Sequence, residues 1–319
     1  MQILFVTATR IGDAVLSTGL LAHLIERYPG GRLTIAAGPV AAPLFEAVPG
    51  LERVIGMEKQ RLAIHWLGLY RAVAGRRWDI VVDLRGSALP WLLRAGERYA
   101  MAKGNVHEHR VRQLARLFAL DPPPSPRLWL TPAHKQRAEA LIPAGGPVLA
   151  IGPAANWRGK QWRGERFAEL ARRLTAGDGP LPGARIAVLA AAHERAQAEP
   201  LLAAGPAARI IDLIGKTDLL TATAALRRCA LFVGNDTGLM HIAAASGVPT
   251  LGLFGPSPID QYAPWGPCTA VARTEVPAEA MYASGFDHRT TDTLMDSLSV
   301  DAAEAATCQL WRRVACEAA

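Results

Sequence analysis

The sequence predicts an α/β protein built from two Rossmann-like domains, each a doubly wound parallel sheet. Short apolar runs recur along the chain, and segments with apolar residues three and four positions apart separate several of them. The helical spacing is clearest in two stripes, Leu16, Leu20, Leu24 and Tyr28, then Phe167, Leu170, Ala171 and Leu174. The predicted strands lie at 3–7, 33–37, 80–84, 148–151, 185–190, 231–233 and 250–254.

Proline and glycine punctuate the middle of the chain, at 121–126 and again at 143–147, and the strand–helix alternation then restarts at Val148. We therefore predict an N-terminal domain over 1–145 and a C-terminal domain over 146–300. Residues 301–319 form an amphipathic helix that can pack on either domain, including back on the first. Ligand is expected between the domains, beyond the carboxyl ends of the strands.

The length of 319 residues suits two domains. The chain starts with an apolar stretch that lacks a basic leader, which favours a buried strand over a signal peptide. No apolar run approaches the ~18 residues of a membrane span, so a cytoplasmic protein is expected. The four cysteines form no Cys-x-x-Cys pair and no zinc spacing with the histidines, which favours free thiols in a reducing compartment.

The net charge of +7 is concentrated in one quarter of the chain. Residues 51–130 contain 14 Lys and Arg against 7 Asp and Glu, so the rest balances at 21 against 21. Such a basic region predicts a face that meets an anionic partner, although a merely soluble surface is the alternative. Nucleic acid is disfavoured, because aromatic residues make up only 6% and no recognition motif is present.

The first candidate site follows strand one as Arg10-Ile11-Gly12-Asp13. A dinucleotide enzyme would carry Gly-x-Gly-x-x-Gly at this place, and that motif is absent. Asp13 opens the next helix, where it is either a helix N-cap or a carboxylate that accepts a proton from a hydroxyl. The helix terminus favours its ionised form.

A second candidate is the small-residue loop over 152–162, which contains Lys160 between a strand and a helix. Such a loop suits phosphate oxygens, and Lys160 would stabilise a leaving diphosphate. The alternative is an ordinary exposed lysine.

The third candidate is the turn Asp236-Thr237-Gly238-Leu239, which joins a buried strand to a helix. The free amides of residues 237–239 at the helix start make an anion site, and Asp236 either caps the helix or holds sugar hydroxyls. His241, among apolar neighbours, is interpreted as a structural histidine.

Glu194 follows the strand at 185–190, where an acid often binds ribose hydroxyls; a surface glutamate is the alternative. No two aspartates are separated by a single residue, so the Asp-x-Asp metal clamp of many sugar transferases is absent. Charge on a leaving group would then be met by Lys160 and helix amides rather than by Mg²⁺.

With these elements in order, the chain resembles the bacterial ADP-heptose:lipopolysaccharide heptosyltransferases, glycosyltransferase family 9, over nearly its full length. The strongest block runs from Ile214-Gly215-Lys216 through 232–245 to 254–258. Arg10-Ile11-Gly12-Asp13, Asp83-Leu84-Arg85-Gly86-Ser87 and Lys160-Gln161-Trp162 add to it. Each motif alone is weak, but their joint order and spacing are specific.

The resemblance implies a GT-B fold with the two domains facing across a cleft, and an inverting heptose transfer without metal or other cofactor. The N-terminal domain would bind the acceptor and the C-terminal domain the nucleotide sugar. Asp13 would be the general base, and Lys160 would contact phosphate and sugar. The implied donor-binding residues are Gly12, Glu194, Lys216, Asp236, Thr237, Gly238 and Leu239.

The implied acceptor is an anionic glycolipid, the inner core of lipopolysaccharide, reached from the cytoplasmic face of the inner membrane. The basic side chains expected to meet it are Arg94, Arg98, Lys103, His107 and Arg110. Three alternatives stay open: another nucleotide sugar or acceptor on the same fold, a nicotinamide oxidoreductase, and a non-catalytic nucleotide-sugar-binding protein. Residues 281–292 are expected to form a loop, and the oligomeric state is not predicted.

Overall fold

A computed structural model describes residues 1–60, 63–102, 107–204, 207–282, 287 and 290–318. The chain forms two compact units, Met1–Thr131 and Pro132–Ala319. Among the described residues, no helix combines the length and the apolar character that crossing a bilayer requires. The four cysteines are free thiols.

The first unit contains a sheet of five parallel strands in the order β3-β2-β1-β4-β5. The chain leaves β1 toward β2 and β3, then returns to place β4 on the other side of β1, so the strand order reverses between β1 and β4. The described elements are β1 (Gln2–Val6), α1 (Ile11–Arg27), β2 (Arg32–Ala37), β3 (Leu51–Gly56), α2 (Ile64–Val73), β4 (Trp78–Asp83), α3 (Leu89–Leu92), β5 (Ala95–Ala100) and α4 (Arg110–Arg116).

The second unit contains a sheet of six parallel strands in the order β8-β7-β6-β9-β10-β11, with its own reversal between β6 and β9. This is the strand order of a dinucleotide-binding Rossmann domain. Its described elements are α5 (Pro132–Leu141), β6 (Val148–Gly152), α6 (Gly164–Leu174), β7 (Arg185–Val188), α7 (Arg195–Ala204), β8 (Ile210–Asp212), α8 (Leu219–Leu226), β9 (Leu231–Asn235), α9 (Gly238–Ala245), β10 (Thr250–Phe254), α10 (Ile259–Tyr262), β11 (Thr269–Arg273) and α11 (Val300–Ala318).

The predicted apolar stripes are the faces that the helices bury. In α6 the four stripe residues are all buried, while Arg172 and Arg173 on the outer side bind Glu169. Leu16, Leu20 and Leu24 are likewise buried on α1. Each sheet is therefore packed against helices by residues spaced three and four apart, which confirms the predicted α/β fold with two Rossmann-like units.

The structure divides the chain between Thr131 and Pro132, earlier than the predicted boundary at 145. The reason is α5, which packs on α8 and so belongs to the second unit. The C-terminal helix α11 packs against α6, β10 and β11, with Ala303 and Leu310 in the second core. It therefore belongs to the second unit.

Candidate active site

Each sheet carries its candidate residues at the carboxyl edge beside the point where the strand order reverses. In the second unit, β6 leads into the loop with Lys160 and β9 leads into Asp236. Ligands of open α/β sheets bind in the crevice at such a point, because the loops on its two sides diverge there. The two motifs are far apart in sequence and adjacent in the fold.

Lys160 and Asp236 form an ion pair at this crevice. The Lys160 Nζ donates to Asp236 Oδ2 at 2.6 Å. The Asp236 side chain is 7% exposed and that of Lys160 is 26% exposed, so one end of the pair still meets solvent. Lys160 is thus not an ordinary exposed lysine, and its charge is held where an anion can approach.

Helix α9 starts beside this pair. Thr237 is its N-cap, in an extended conformation and without a side-chain capping hydrogen bond. The first amides of a helix have no intrahelical acceptor, and together with the helix dipole they attract negative charge. Residues 237–239 therefore form a helix start, which favours negative charge, directly after the carboxylate that binds Lys160.

Asn235, the last residue of β9, clamps the loop that carries Lys160. Its side chain is fully buried; Nδ2 donates to the carbonyl of Pro153 at 2.8 Å, and Oδ1 accepts from the amide of Trp162 at 3.2 Å. Both ends of the loop are thus fixed to the strand that precedes Asp236. This amide is the structural link between the two halves of the site.

Trp162 anchors the same loop in the core. Its indole Nε1 donates to the carbonyl of Leu298 at 2.9 Å, and its ring meets Phe167 edge-on at 5.0 Å. On the solvent side, the amide of Leu294 donates to the carbonyl of Gly159, and Arg158 pairs with Asp292. The backbone at Lys160 is therefore supported from two directions.

Gly152 and Gly234 allow close packing at the ends of β6 and β9, beneath the loop that carries Lys160. A Cβ on Gly152 would lie 2.9 Å from the Phe232 ring and 3.0 Å from Leu239, and one on Gly234 would lie 2.9 Å from the Gly152 carbonyl. Substitution would push the loops apart at the crevice.

His241 is buried inside α9, with Nε2 3.9 Å from Asp236 Oδ1. This separation is longer than a hydrogen bond. Its burial agrees with the predicted structural histidine.

Glu194 and Lys216 lie at the β7 and β8 side of the same edge. The Glu194 carboxylate accepts from the amide of Ala191 at 2.9 Å, so it caps its own turn. Lys216 is 3.9 Å from Asp212, which also binds Arg195. Burial acts to raise the pKa of Asp212, but the hydrogen bonds from Arg195 and the Ile214 amide outweigh it and lower the pKa.

In the first unit, Asp13 lies at the carboxyl edge next to the reversal between β1 and β4. It is the third residue of α1 and half-buried, and Gly12 is the second; the N-cap is Arg10, so Asp13 is not the N-cap itself. The β4 side of the reversal ends in the buried Asp83, which accepts from the amides of Arg85 and Ser87. That carboxylate fixes its own turn.

The predicted acceptor-binding side chains have different surroundings. Arg94 and His107 are exposed. Arg98 donates to the carbonyls of Pro90 and Leu93, so its guanidinium holds the α3 segment. Arg110 donates to Gln113 at 3.1 Å and reaches the carbonyl of Leu84 at 3.5 Å, which places it at the carboxyl edge. Lys103 lies outside the described residues.

Sequence reasoning missed Asn235 as a separate functional residue. The sequence places Asn235 in the turn before α9, between a buried strand and Asp236. Nothing in the sequence indicates which distant groups its side-chain amide binds. A polar residue that ends an otherwise apolar strand was the available signal, since buried amides need partners.

We expect Asn235→Ala to lower kcat by about tenfold to a hundredfold, because an ångström-scale shift of a catalytic group has that scale of effect. Stability should also fall by about 1–3 kcal/mol for each buried polar group left without its partner. Thr175→Ala is the matched control, because it removes a buried hydrogen bond to Ala171 at the far end of α6. If the Thr175 variant loses stability but keeps its kcat, while the Asn235 variant loses stability and kcat, Asn235 has a positioning role. Equal kcat values for the two variants would refute that role.

The family model for glycosyltransferase family 9 (heptosyltransferase) matches residues 66–283. The chain is 26% identical over 301 residues to lipopolysaccharide heptosyltransferase 2 of Salmonella typhimurium, covering 82% of this chain and 84% of that protein.

Two solved structures share the fold. The glycosyl transferase family 9 protein from Veillonella parvula aligns with a TM-score of 0.76 at 18% identity, over 98% of this chain and 97% of its own. The E. coli ADP-heptose lps heptosyltransferase II aligns with a TM-score of 0.72 at 21% identity, over 98% and 99%. The two sheets of this chain are thus those of the GT-B-like heptosyltransferase structures.

Proposed function

We propose that this chain, which belongs to glycosyltransferase family 9, transfers a heptose from ADP-heptose to the inner-core region of lipopolysaccharide with inversion and without a metal. The observation that carries the proposal is the Lys160–Asp236 pair beside the start of α9, at the crevice between β6 and β9. A transferase must hold a diphosphate that gains negative charge as it leaves. A lysine and a helix start are the groups that do so.

The donor diphosphate would bind against Lys160 and the amides of Thr237, Gly238 and Leu239. Asp236 holds the ammonium group in place in the free protein through Oδ2, and its carboxylate would accept a hydrogen bond from a sugar hydroxyl. Binding would let Lys160 share its three donor hydrogens between Asp236 and a phosphate oxygen. Lys216, Gly12 and Glu194 complete the proposed donor set, with Glu194 exchanging its bond to Ala191 for the ribose.

The transfer step forms one bond and breaks one. The acceptor hydroxyl oxygen bonds to the anomeric carbon, and its proton passes to the carboxylate of Asp13. The bond from the anomeric carbon to ADP breaks, and its electron pair stays on the departing diphosphate. Attack on the face opposite the leaving group inverts the anomeric centre, and the charge that develops on the diphosphate falls on Lys160 and the helix amides.

The acceptor is proposed to be an anionic glycolipid at the cytoplasmic face of the inner membrane. The excess of basic residues over 51–130 supports this, since phosphate and carboxylate groups of an inner core would meet it. Arg110 and Arg94 are the proposed contacts, with Lys103 and His107 beside them in sequence. Arg98 would act by holding the α3 segment.

The nucleotide can be tested by thermal unfolding. ADP at about a hundredfold excess over Kd should raise Tm by about 5 °C, whereas UDP and GDP should leave it unchanged. ADP-heptose should then yield a heptosylated product by mass spectrometry, and EDTA should not change the rate.

Stabilisation by UDP or GDP alone would identify another donor. Binding of ADP-heptose with no product on any extracted core glycolipid would point to a sensing protein instead. An EDTA-sensitive rate would overturn the metal-free step while leaving the donor site in place.

A further inference from the structure

Two helices of the first unit leave large apolar side chains in water. On α2, Ile64 is 52% exposed and Leu67 is 47% exposed; on α3, Trp91 is 69% exposed and Leu92 is 64% exposed. Single exposed apolar residues are ordinary, but a group of large ones on neighbouring elements marks an interaction surface. We refer to these four residues as the α2–α3 surface.

Both helices cover the same side of the first sheet, because their inner residues belong to one buried cluster. Leu69 and Val73 of α2 pack in the same buried cluster as Leu89 of α3 and Leu93 beside it. With these residues facing inward, the exposed pairs on α2 and α3 face outward on the same side of the sheet.

The α3 segment is held firmly although it is short. From the neighbouring strand β5, Arg98 donates from Nε to the carbonyl of Pro90 at 2.8 Å and from Nη2 to that of Leu93 at 3.1 Å. These bonds fix the turn that presents Trp91 and Leu92. Their exposure is thus a property of a fixed element, and folding does not bury them.

The charge around the surface is positive. Residues 64–73 and 84–94 contain no Asp or Glu. Arg71 and Arg94 are exposed. The guanidinium of Arg85 lies over the ring of Trp66 at 4.8 Å. This combination of tryptophan, leucine and arginine is typical of surfaces that bind an anionic bilayer. The apolar side chains enter the headgroup layer, and the arginines bind lipid phosphate.

We propose that the α2–α3 surface docks this protein on an anionic phospholipid bilayer. The inference rests on the proposed function, because a glycolipid acceptor lies in such a bilayer. Arg85 follows β4 and its guanidinium lies over Trp66, so the α2 part of the surface lies near the carboxyl edge at which Asp13 follows the neighbouring strand β1. Docking there would bring the proposed base close to headgroups.

The test compares vesicle binding of the full chain and its variants by co-sedimentation. Vesicles of phosphatidylethanolamine with phosphatidylglycerol are the probe, and phosphatidylcholine vesicles are the neutral reference. The W91S/L92S variant should bind the anionic vesicles at least about tenfold more weakly. Arg71→Gln should weaken binding most at low salt. Val276→Ser is the matched control, an exposed apolar residue of the second unit that is 42% exposed, and should bind as the parent does.

Transfer of heptose to a deacylated, water-soluble acceptor separates this proposal from the proposed function. W91S/L92S should keep its rate on that acceptor, with an unchanged Tm. Equal vesicle binding by W91S/L92S and the parent, or no binding by the parent, would overturn the docking surface whatever the transfer rate. A parent that dimerises in ultracentrifugation, with W91S/L92S monomeric and vesicle binding unchanged, would also overturn it and assign the face to a second copy. Vesicle binding without any transfer would leave docking supported and refute the enzyme assignment.

Discussion

Replacement of Asp13 by alanine is expected to lower kcat by about 10²–10⁴-fold, the range over which a general base contributes. Asp13 is the half-buried carboxylate in the first turn of α1, beside the reversal of the first sheet. The acceptor hydroxyl would then have to lose its proton to water. Steady-state transfer from ADP-heptose to a core glycolipid, with kcat and both KM values determined, measures the loss.

Glu26→Gln is the matched control, because Glu26 is an acid of the same helix whose exposed pair with Arg127 has little energetic weight. Its kcat should equal that of the parent. The Asp13 variant should also retain the stabilisation by ADP, since Lys160 and the amides of residues 237–239, which are proposed to bind the diphosphate, lie in the other unit. Near-parental turnover by a folded Asp13→Ala protein would show that another group takes the proton.

Lys160→Ala should lower kcat by about 10²–10³-fold, by analogy with the loss of one donor from an oxyanion hole. It removes the cation nearest the proposed diphosphate and leaves Asp236, which is 7% exposed, without its ion-pair partner. An unpaired carboxylate at that point would repel the donor, so KM for ADP-heptose should rise as well. Steady-state kinetics with varied donor concentration resolves the two effects.

A double-mutant cycle sharpens this result. The double variant Asp236→Asn/Lys160→Ala should show a smaller loss of kcat, expressed as free energy, than the sum of the losses of the two single variants. Residues in one ion pair are not independent. Lys135→Ala, which changes an exposed lysine of α5, is the control and should leave kcat unchanged. Additive losses, or a Lys160→Ala variant with parental kcat, would contradict the role of the pair.

The sequence predicted the central strands of both sheets and missed strands at their edges. The strands β1, β2, β4, β6, β7, β9 and β10 each overlap a predicted apolar run. The strands that were not predicted are β3, β5, β8 and β11, and each lies at an edge of its sheet. An edge strand buries less of its surface, so its sequence includes charged residues, such as Glu52 and Arg53 in β3 and Glu97 and Arg98 in β5.

The candidate site shows the same division between local and distant information. Lys160 and Asp236 were predicted because each follows a buried strand in a loop typical of anion sites, and the parallel sheet brings the two loops together. Arg98 was predicted as a basic residue of the segment in which the resemblance places acceptor contacts, and Glu194 was predicted from its position after a strand. Their present partners, backbone groups of Pro90, Leu93 and Ala191, have no sequence signature. The hydrogen bonds of Asn235 to Pro153 and Trp162 were not predicted either, because their backbone partners have no sequence signature.

A crystal structure of the protein with bound ADP tests the central claim most directly. The account predicts the diphosphate at the crevice between β6 and β9, within hydrogen-bond distance of Lys160 Nζ and of amides at the start of α9. A diphosphate bound elsewhere on the second unit, with the Lys160–Asp236 pair undisturbed, would contradict it.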